Sequence, residues 1–72
     1  MNDFQYLVEY MERDLIVMLI EKRGLTMAEA LDVFYNSETH EKLCDPRSGL
    51  YFQSPGYVYD FLENEINYGK CF

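Results

Sequence analysis

The sequence DFQYLVEYMERDLIVMLIEKR, Asp3 to Arg23, decides the fold because it carries the longest helical pattern in the chain. At about 100° per residue, one stripe of this predicted helix is apolar and should face the core. The cations Lys22 and Arg23 suit the negative end of the helix dipole, and Gly24 can close the helix. The predicted core stripe is Phe4, Val8, Met11, Leu15 and Met18, with Leu7 and Leu19 at its edges.

The opposite side of this helix carries a second, largely apolar stripe. Because the run from Leu15 to Ile20 is apolar throughout, we expect no side of it to be wetted, and a second packing partner is implied. Either the last helix or the segment before it covers the stripe, or the stripe binds another protein, since tyrosine and arginine are enriched at interface centres. The predicted protein interface is Tyr6, Tyr10, Arg13, Val17 and Ile20.

Length and charge limit what the chain can do. It has 72 residues, 6 basic and 13 acidic, with a net charge of -7, and reads as one small helical domain over residues 1–72. A chain of this size buries only about 60% of its unfolded surface, which favours a homo-oligomer, with a dimer as the favoured form.

The same composition predicts where the chain acts and which partners it avoids. Its acidity disfavours nucleic acid. Its longest fully apolar run is six residues, whereas a membrane span needs about 20. The acidic N-terminus lacks a basic signal region, so we expect a cytoplasmic protein with reduced cysteines.

The rest of the chain predicts three shorter helices, giving an all-α bundle of three to four helices around a long, central N-terminal helix. Thr26 and Glu29 fit a capping box, which starts helix two at Met27 and lets it run to about Tyr35. Helix two should place Met27, Ala30, Leu31 and Phe34 against helix one.

Serine caps are expected to start the remaining helices. Ser37 precedes a short helix over 38–44, with Leu43 and Cys44 as its candidate inward residues. Ser54 caps the last helix, which has Pro55 in its first position and fades at Gly69. The buried stripe predicted for this helix is Val58, Phe61, Leu62 and Ile66, with Tyr57 beside it.

The segment before the last helix begins with a turn over 45–49 that contains Pro46 and Gly49. The residues that follow, Leu50 to Gln53, have β-prone side chains but are too short to form a sheet. They form either an extended strap over the helices or an edge that pairs outside the chain. We favour the extended strap.

No motif specifies a reaction, so we expect no enzyme activity, no catalytic residues and no cofactor. His40 and Cys44 lie four residues apart, and Cys71 is the only other soft ligand, whereas a structural zinc site normally has four ligands. We therefore predict no metal site and a solvated His40. Carboxylate pairs such as Glu9 and Glu12, or Glu63 and Glu65, are interpreted as solvated helix faces.

One stretch of the chain resembles a known family. The pattern covers about residues 25 to 66 and is similar to that of short uncharacterised bacterial helical proteins, a domain of unknown function sometimes encoded beside candidate toxins. The resemblance implies a helical fold and gives no activity or site residues. It is carried by Leu25, Thr26, Glu29, Ala30, Tyr35, Ser37, Leu43, Gly49, Leu50, Tyr51, Ser54, Tyr57, Leu62 and Glu65.

Two functional hypotheses follow from the sequence. The first is a non-enzymatic interaction module that associates with itself through the back face of helix one. The second is an antitoxin-like or regulatory adaptor that uses its acidic surface, or the segment Leu50 to Phe52, to bind a basic protein.

Overall fold

The computed structural model describes residues 3–69, which form four α-helices and no β-strand. Among these residues, no helix is both long enough and apolar enough to cross a membrane. The predicted all-α architecture is confirmed. The helices are α1 (Asp3–Arg23), α2 (Met27–Tyr35), α3 (Glu38–Leu43) and α4 (Pro55–Tyr68), and two 3-10 turns, Pro46–Ser48 and Leu50–Phe52, connect α3 to α4.

Helix α1 is central because it packs against α2, α4 and the second 3-10 turn. Most of its predicted core stripe is buried, and Leu15 and Leu19 are fully inaccessible. Phe4 and Met18 are only partly buried at the edge of the core. Ile16, which the pattern assigned to neither stripe, is also buried and widens the core face toward α2.

The turn into α2 forms from local interactions. Gly24 has φ +69°, a left-handed conformation that glycine adopts without a Cβ clash, and it ends α1. In the predicted capping box, the Glu29 amide donates to Thr26 Oγ1 at 3.1 Å and the Thr26 amide donates to Glu29 Oε1 at 2.9 Å. The prediction that Met27 faces the core is wrong, because its side chain is 59% exposed.

The start of α3 depends on a residue far along the chain. Ser37 Oγ accepts from the His40 amide at 3.0 Å, as predicted for the cap. The amides of Glu38 and Thr39 donate to the Glu65 carboxylate of α4, at 2.7 and 3.0 Å. Because the first amides of a helix lack partners within it, this contact satisfies them and ties α3 to α4.

The connection to α4 differs in conformation from the prediction. Leu50 is buried and Tyr51 packs edge-on against Phe4 of α1, with ring centroids 4.7 Å apart, so this segment does cover α1. It is coiled into a 3-10 turn and not extended. The Gln53 amide donates to the Leu50 carbonyl at 3.1 Å, a local bond that replaces the strand pairing an extended segment would need.

Helix α4 starts and ends as predicted, with Ser54 capping it and Gly69 closing it. Val58 and Leu62 are fully buried, and Phe61 and Ile66 are packed against the core. The burial of the two tyrosines near its start differs from the prediction. Tyr59, which the pattern missed, is only 2% exposed, whereas Tyr57 is half exposed.

Candidate protein interface on helix α1

The back stripe of α1 is largely uncovered. Tyr6, Tyr10 and Val17 are 55%, 49% and 44% exposed, and Arg13 is also exposed. We call these four residues the outer face. Within residues 3–69, neither α4 nor the segment before it covers these four side chains, so the alternative in which one of those two elements buries the stripe is wrong for them. Ile20 is the exception, because it is partly buried and packs against the core.

A shallow groove between α1 and α2 continues the outer face. It has a volume of about 390 Å³ and is lined by Glu9, Glu12, Arg13, Ile16, Val17, Met27 and Tyr35. Met27 and Tyr35 are 59% and 49% exposed, so α2 adds two apolar side chains to the surface of α1. This contribution could not be predicted from the sequence, because both residues have the apolar character expected of a helix face that packs inward.

Charged groups lie among the aromatic rings of the outer face. The Arg13 guanidinium is 6.0 Å from the centre of the Tyr10 ring, at the outer limit of a cation–π contact. Glu9 lies one helical turn before Arg13 on the same face and accepts from the Gln5 side-chain amide at 3.4 Å. An apolar stripe with one cation and one anion can be recognised by a surface that places its charges in the opposite order.

A second cluster lies beside the groove, where α1 meets the end of α3. His40 Nε2 is 3.1 Å from Glu12 Oε2 and 3.5 Å from Cys44 Sγ. The prediction of a solvated His40 is wrong, because only 23% of its side chain is exposed and its ring contacts the edges of Phe34 and Tyr35. Glu12 is also mostly buried and is not part of a solvated face.

The surroundings of the cluster disfavour the ionised forms of the Cys44 thiol and of the neighbouring Tyr35 phenol. Burial, with a further contribution from Glu12, raises the pKa of the Cys44 thiol. Burial first, and then Glu12 and Cys44, raise the pKa of Tyr35. The free thiol of Cys44 is therefore protonated at neutral pH and is not an activated nucleophile. Cys71, the other soft ligand in the sequence, lies outside the described residues.

The Glu65 carboxylate, near the end of α4, has a structural role that the sequence did not indicate. Glu65 was interpreted as part of a solvated face, but its carboxylate accepts from two amides of α3 and from Thr39 Oγ1 at 2.9 Å. Thr39 is itself fully buried. Since these contacts join residues 26 and 27 positions apart, no local pattern could have shown them.

Comparison of the chain with protein-family models, with curated proteins and with solved structures gives no match. The resemblance described above therefore stays a prediction, and the surface of the molecule itself is the basis for proposing a function.

Proposed function

We propose that this protein is a non-enzymatic interaction module that forms a homodimer through the outer face of α1. The observation that carries the proposal is the symmetry of the face. Its four residues are separated by 4, 3 and 4 positions, and this series is the same when read in either direction along the helix. A second copy of α1 lying antiparallel to the first can therefore place all four residues in register.

The expected contacts follow from that register. A two-fold axis between residues 11 and 12 sets Tyr6 against the partner's Val17 and Tyr10 against the partner's Arg13. Such an interface is isologous, meaning that the same patch is used on both chains. Each of the two central arginines then lies over a tyrosine ring of the other chain, a contact that gains strength as water is excluded.

Charge supports the same arrangement. In the antiparallel register Glu9 lies close to the partner's Arg13, so each side of the axis carries one pair of opposite charges. This local match opposes the repulsion expected between two chains that each carry a net charge of -7. The exposed Met27 and Tyr35 of α2 extend the apolar surface beyond α1.

The required interface is large for this molecule. A stable interface buries about 800 Å² on each partner, which is about one sixth of the 4710 Å² surface of the described chain. A helix with 21 residues can supply such a face when a neighbouring helix contributes its edge. We therefore expect a reversible dimer and not a permanent one.

Sedimentation equilibrium tests the proposal. The expected result is a mass that rises with concentration from that of one 8.6 kDa chain toward that of two. A single-chain mass throughout the micromolar range, with normal thermal unfolding, would contradict it. In that case the outer face would be wetted in a stable lone chain.

Disulfide trapping tests the register. Chains carrying Tyr6→Cys and chains carrying Val17→Cys are mixed under oxidation, with Cys44 and Cys71 both changed to serine. The antiparallel register brings these two positions together, within the roughly 4.4–6.8 Å between Cα atoms that a disulfide needs. Tyr6→Cys alone should not cross-link, because the two copies of residue 6 lie about 16 Å apart along the helices. Efficient cross-linking of Tyr6→Cys alone would indicate a parallel arrangement.

A second candidate is the antitoxin-like or regulatory adaptor that binds a basic protein. The specific observation in its favour is Phe52, which is 62% exposed at the end of the second 3-10 turn of an acidic chain. A stoichiometric basic partner that copurifies with the wild type and is lost with Phe52→Ser would support it. If the partner is lost with Val17→Asp instead, the outer face is the docking surface. The cytoplasmic location belongs to both proposals.

A further inference from the structure

Three side chains with different donor atoms meet between α1 and the end of α3. Glu12 comes from α1, while His40 lies on α3 and Cys44 follows its last residue. Their ligand atoms all lie within 4.8 Å of one another. We propose that Glu12, His40 and Cys44 bind one zinc ion, with water as the fourth ligand.

Two of the three distances between the donors are close to those around a tetrahedral ion. Zinc binds nitrogen at about 2.0–2.1 Å, oxygen at about 2.0–2.2 Å and sulfur at about 2.3 Å, which separates N from O by about 3.4 Å and N from S by about 3.6 Å. The observed separations from His40 Nε2 are 3.1 Å to Glu12 Oε2 and 3.5 Å to Cys44 Sγ. The Glu12 and Cys44 donor atoms lie within 4.8 Å of each other, compared with about 3.6 Å around a tetrahedral ion, so a shift of these two side chains completes the site.

Hydrogen bonds alone cannot satisfy both contacts that His40 makes in this cluster. Both neighbours of His40 approach the same atom, Nε2, which carries one proton at most. If that proton is donated to Glu12, Nε2 has no lone pair to accept the Cys44 thiol proton. If Nε2 accepts the thiol proton, it faces the Glu12 carboxylate without a donor. A metal ion replaces both contacts, because all three atoms then face a cation.

The scaffold holds the donors in place. His40 and Cys44 are four residues apart and lie on one side of the last turn of α3. The His40 ring is fixed by edge contacts with Phe34 and Tyr35, each with ring centroids 5.0 Å apart. Glu12 is anchored on the central helix and its side chain is only 18% exposed. Such a site loses little conformational freedom when the ion binds.

The donor set selects the class of ion. A thiolate, an imidazole and a carboxylate together suit a borderline cation such as Zn²⁺, whereas Mg²⁺ and Ca²⁺ prefer oxygen ligands alone. Coordination requires the thiolate, so the Cys44 thiol releases its proton to solvent as the ion binds. Because Glu12 also lines the groove beside the outer face, the cluster lies at the edge of the proposed interface.

Cobalt(II), a spectroscopic substitute for zinc, gives the direct test on the full chain. One equivalent should produce the visible bands of tetrahedral cobalt and a thiolate-to-cobalt charge-transfer band. Cys44→Ser should abolish the charge-transfer band and weaken zinc binding by at least about tenfold, and Glu12→Gln should weaken binding comparably. Circular dichroism confirms that each variant is folded, and at a given zinc concentration the thermal midpoint should rise more for the wild type than for Cys44→Ser.

Cys71→Ser is the matched control because Cys71 is the only other cysteine. It should keep the charge-transfer band and the affinity of the wild type. A band that survives Cys44→Ser or disappears with Cys71→Ser would overturn the proposal, as would a wild type that binds neither ion. One ion per two chains would overturn the single-chain site. Binding by the Val17→Asp variant separates this result from dimer formation, since the site needs only one chain.

Discussion

Helix α1 has two apolar sides that meet different surroundings. Leu15 is completely buried, whereas Val17, two residues later and equally apolar, is 44% exposed. The inner side packs against α2, α4 and the second 3-10 turn, whereas no element of the described chain packs over the outer face. Hydrophobicity marked both sides for burial, but one short chain supplies enough packing surface for only one of them.

The strongest test of this contrast is Leu15→Asp. We expect this variant to be unfolded at 25 °C, because a buried unpaired carboxylate costs several kcal/mol and a chain of this length has only about 4–10 kcal/mol of stability. Far-ultraviolet circular dichroism measures the result. Leu15→Ala should be milder, losing about 2–5 kcal/mol. A folded Leu15→Asp chain would mean that the inner side is not the core.

The paired change on the outer face is Val17→Asp. It should leave a folded chain whose free energy of unfolding is within about 1 kcal/mol of the wild type, because the site is already exposed. Its sedimentation mass should be that of one chain. Tyr68→Asp is the control, since Tyr68 is 76% exposed on α4 and this change should leave self-association intact. An unfolded Val17→Asp chain would show that both sides of α1 are enclosed.

Charge reversal tests the proposed pairing of Arg13 with Glu9 of the second copy. Arg13→Glu should weaken dimerisation by about 2- to 30-fold, because it removes two symmetric ion pairs worth about 0.2–1 kcal/mol each. Adding Glu9→Arg to the same chain restores opposite charges across the axis and should recover most of the affinity. Sedimentation at several concentrations gives both dissociation constants. A double variant no better than Arg13→Glu would contradict the antiparallel register.

The smallest effect concerns the core beneath the end of α1. Burial first, and then Glu63, raise the pKa of Tyr59, and Arg23 offsets part of that rise. Below the unfolded-state tyrosine pKa of about 10 the phenol is neutral in both states, but above it only the unfolded chain ionises readily. Stability should therefore fall as pH rises from about 10 through the folded-state pKa.

Tyr59→Phe removes this titration. The free energy of unfolding of this variant should increase relative to that of the wild type as pH rises above about 10. Urea unfolding at neutral and alkaline pH measures the difference between the two chains. A difference that stays constant with pH would show that Tyr59 titrates alike in the folded and unfolded chains.

The starts of α2 and α3 show which capping contacts could be predicted from the sequence. The start of α2 was predicted because Thr26 and Glu29 satisfy each other's backbone amides within four residues. At α3, Ser37 was found but Glu65 was not, because the carboxylate that completes the cap belongs to α4. The same limit applies to the candidate sites. The stripe containing Tyr6 and Val17 was visible as a helical period, whereas the approach of Glu12 to His40 was not.

The sequence by itself determined the helices, because caps, helix-ending glycines and apolar periods act within a few residues. It also marked both sides of α1 as apolar. Tertiary packing alone decided which side is buried, how Leu50–Phe52 is coiled and which donors surround His40. These features join residues tens of positions apart, and their energies exist only after the helices have come into contact.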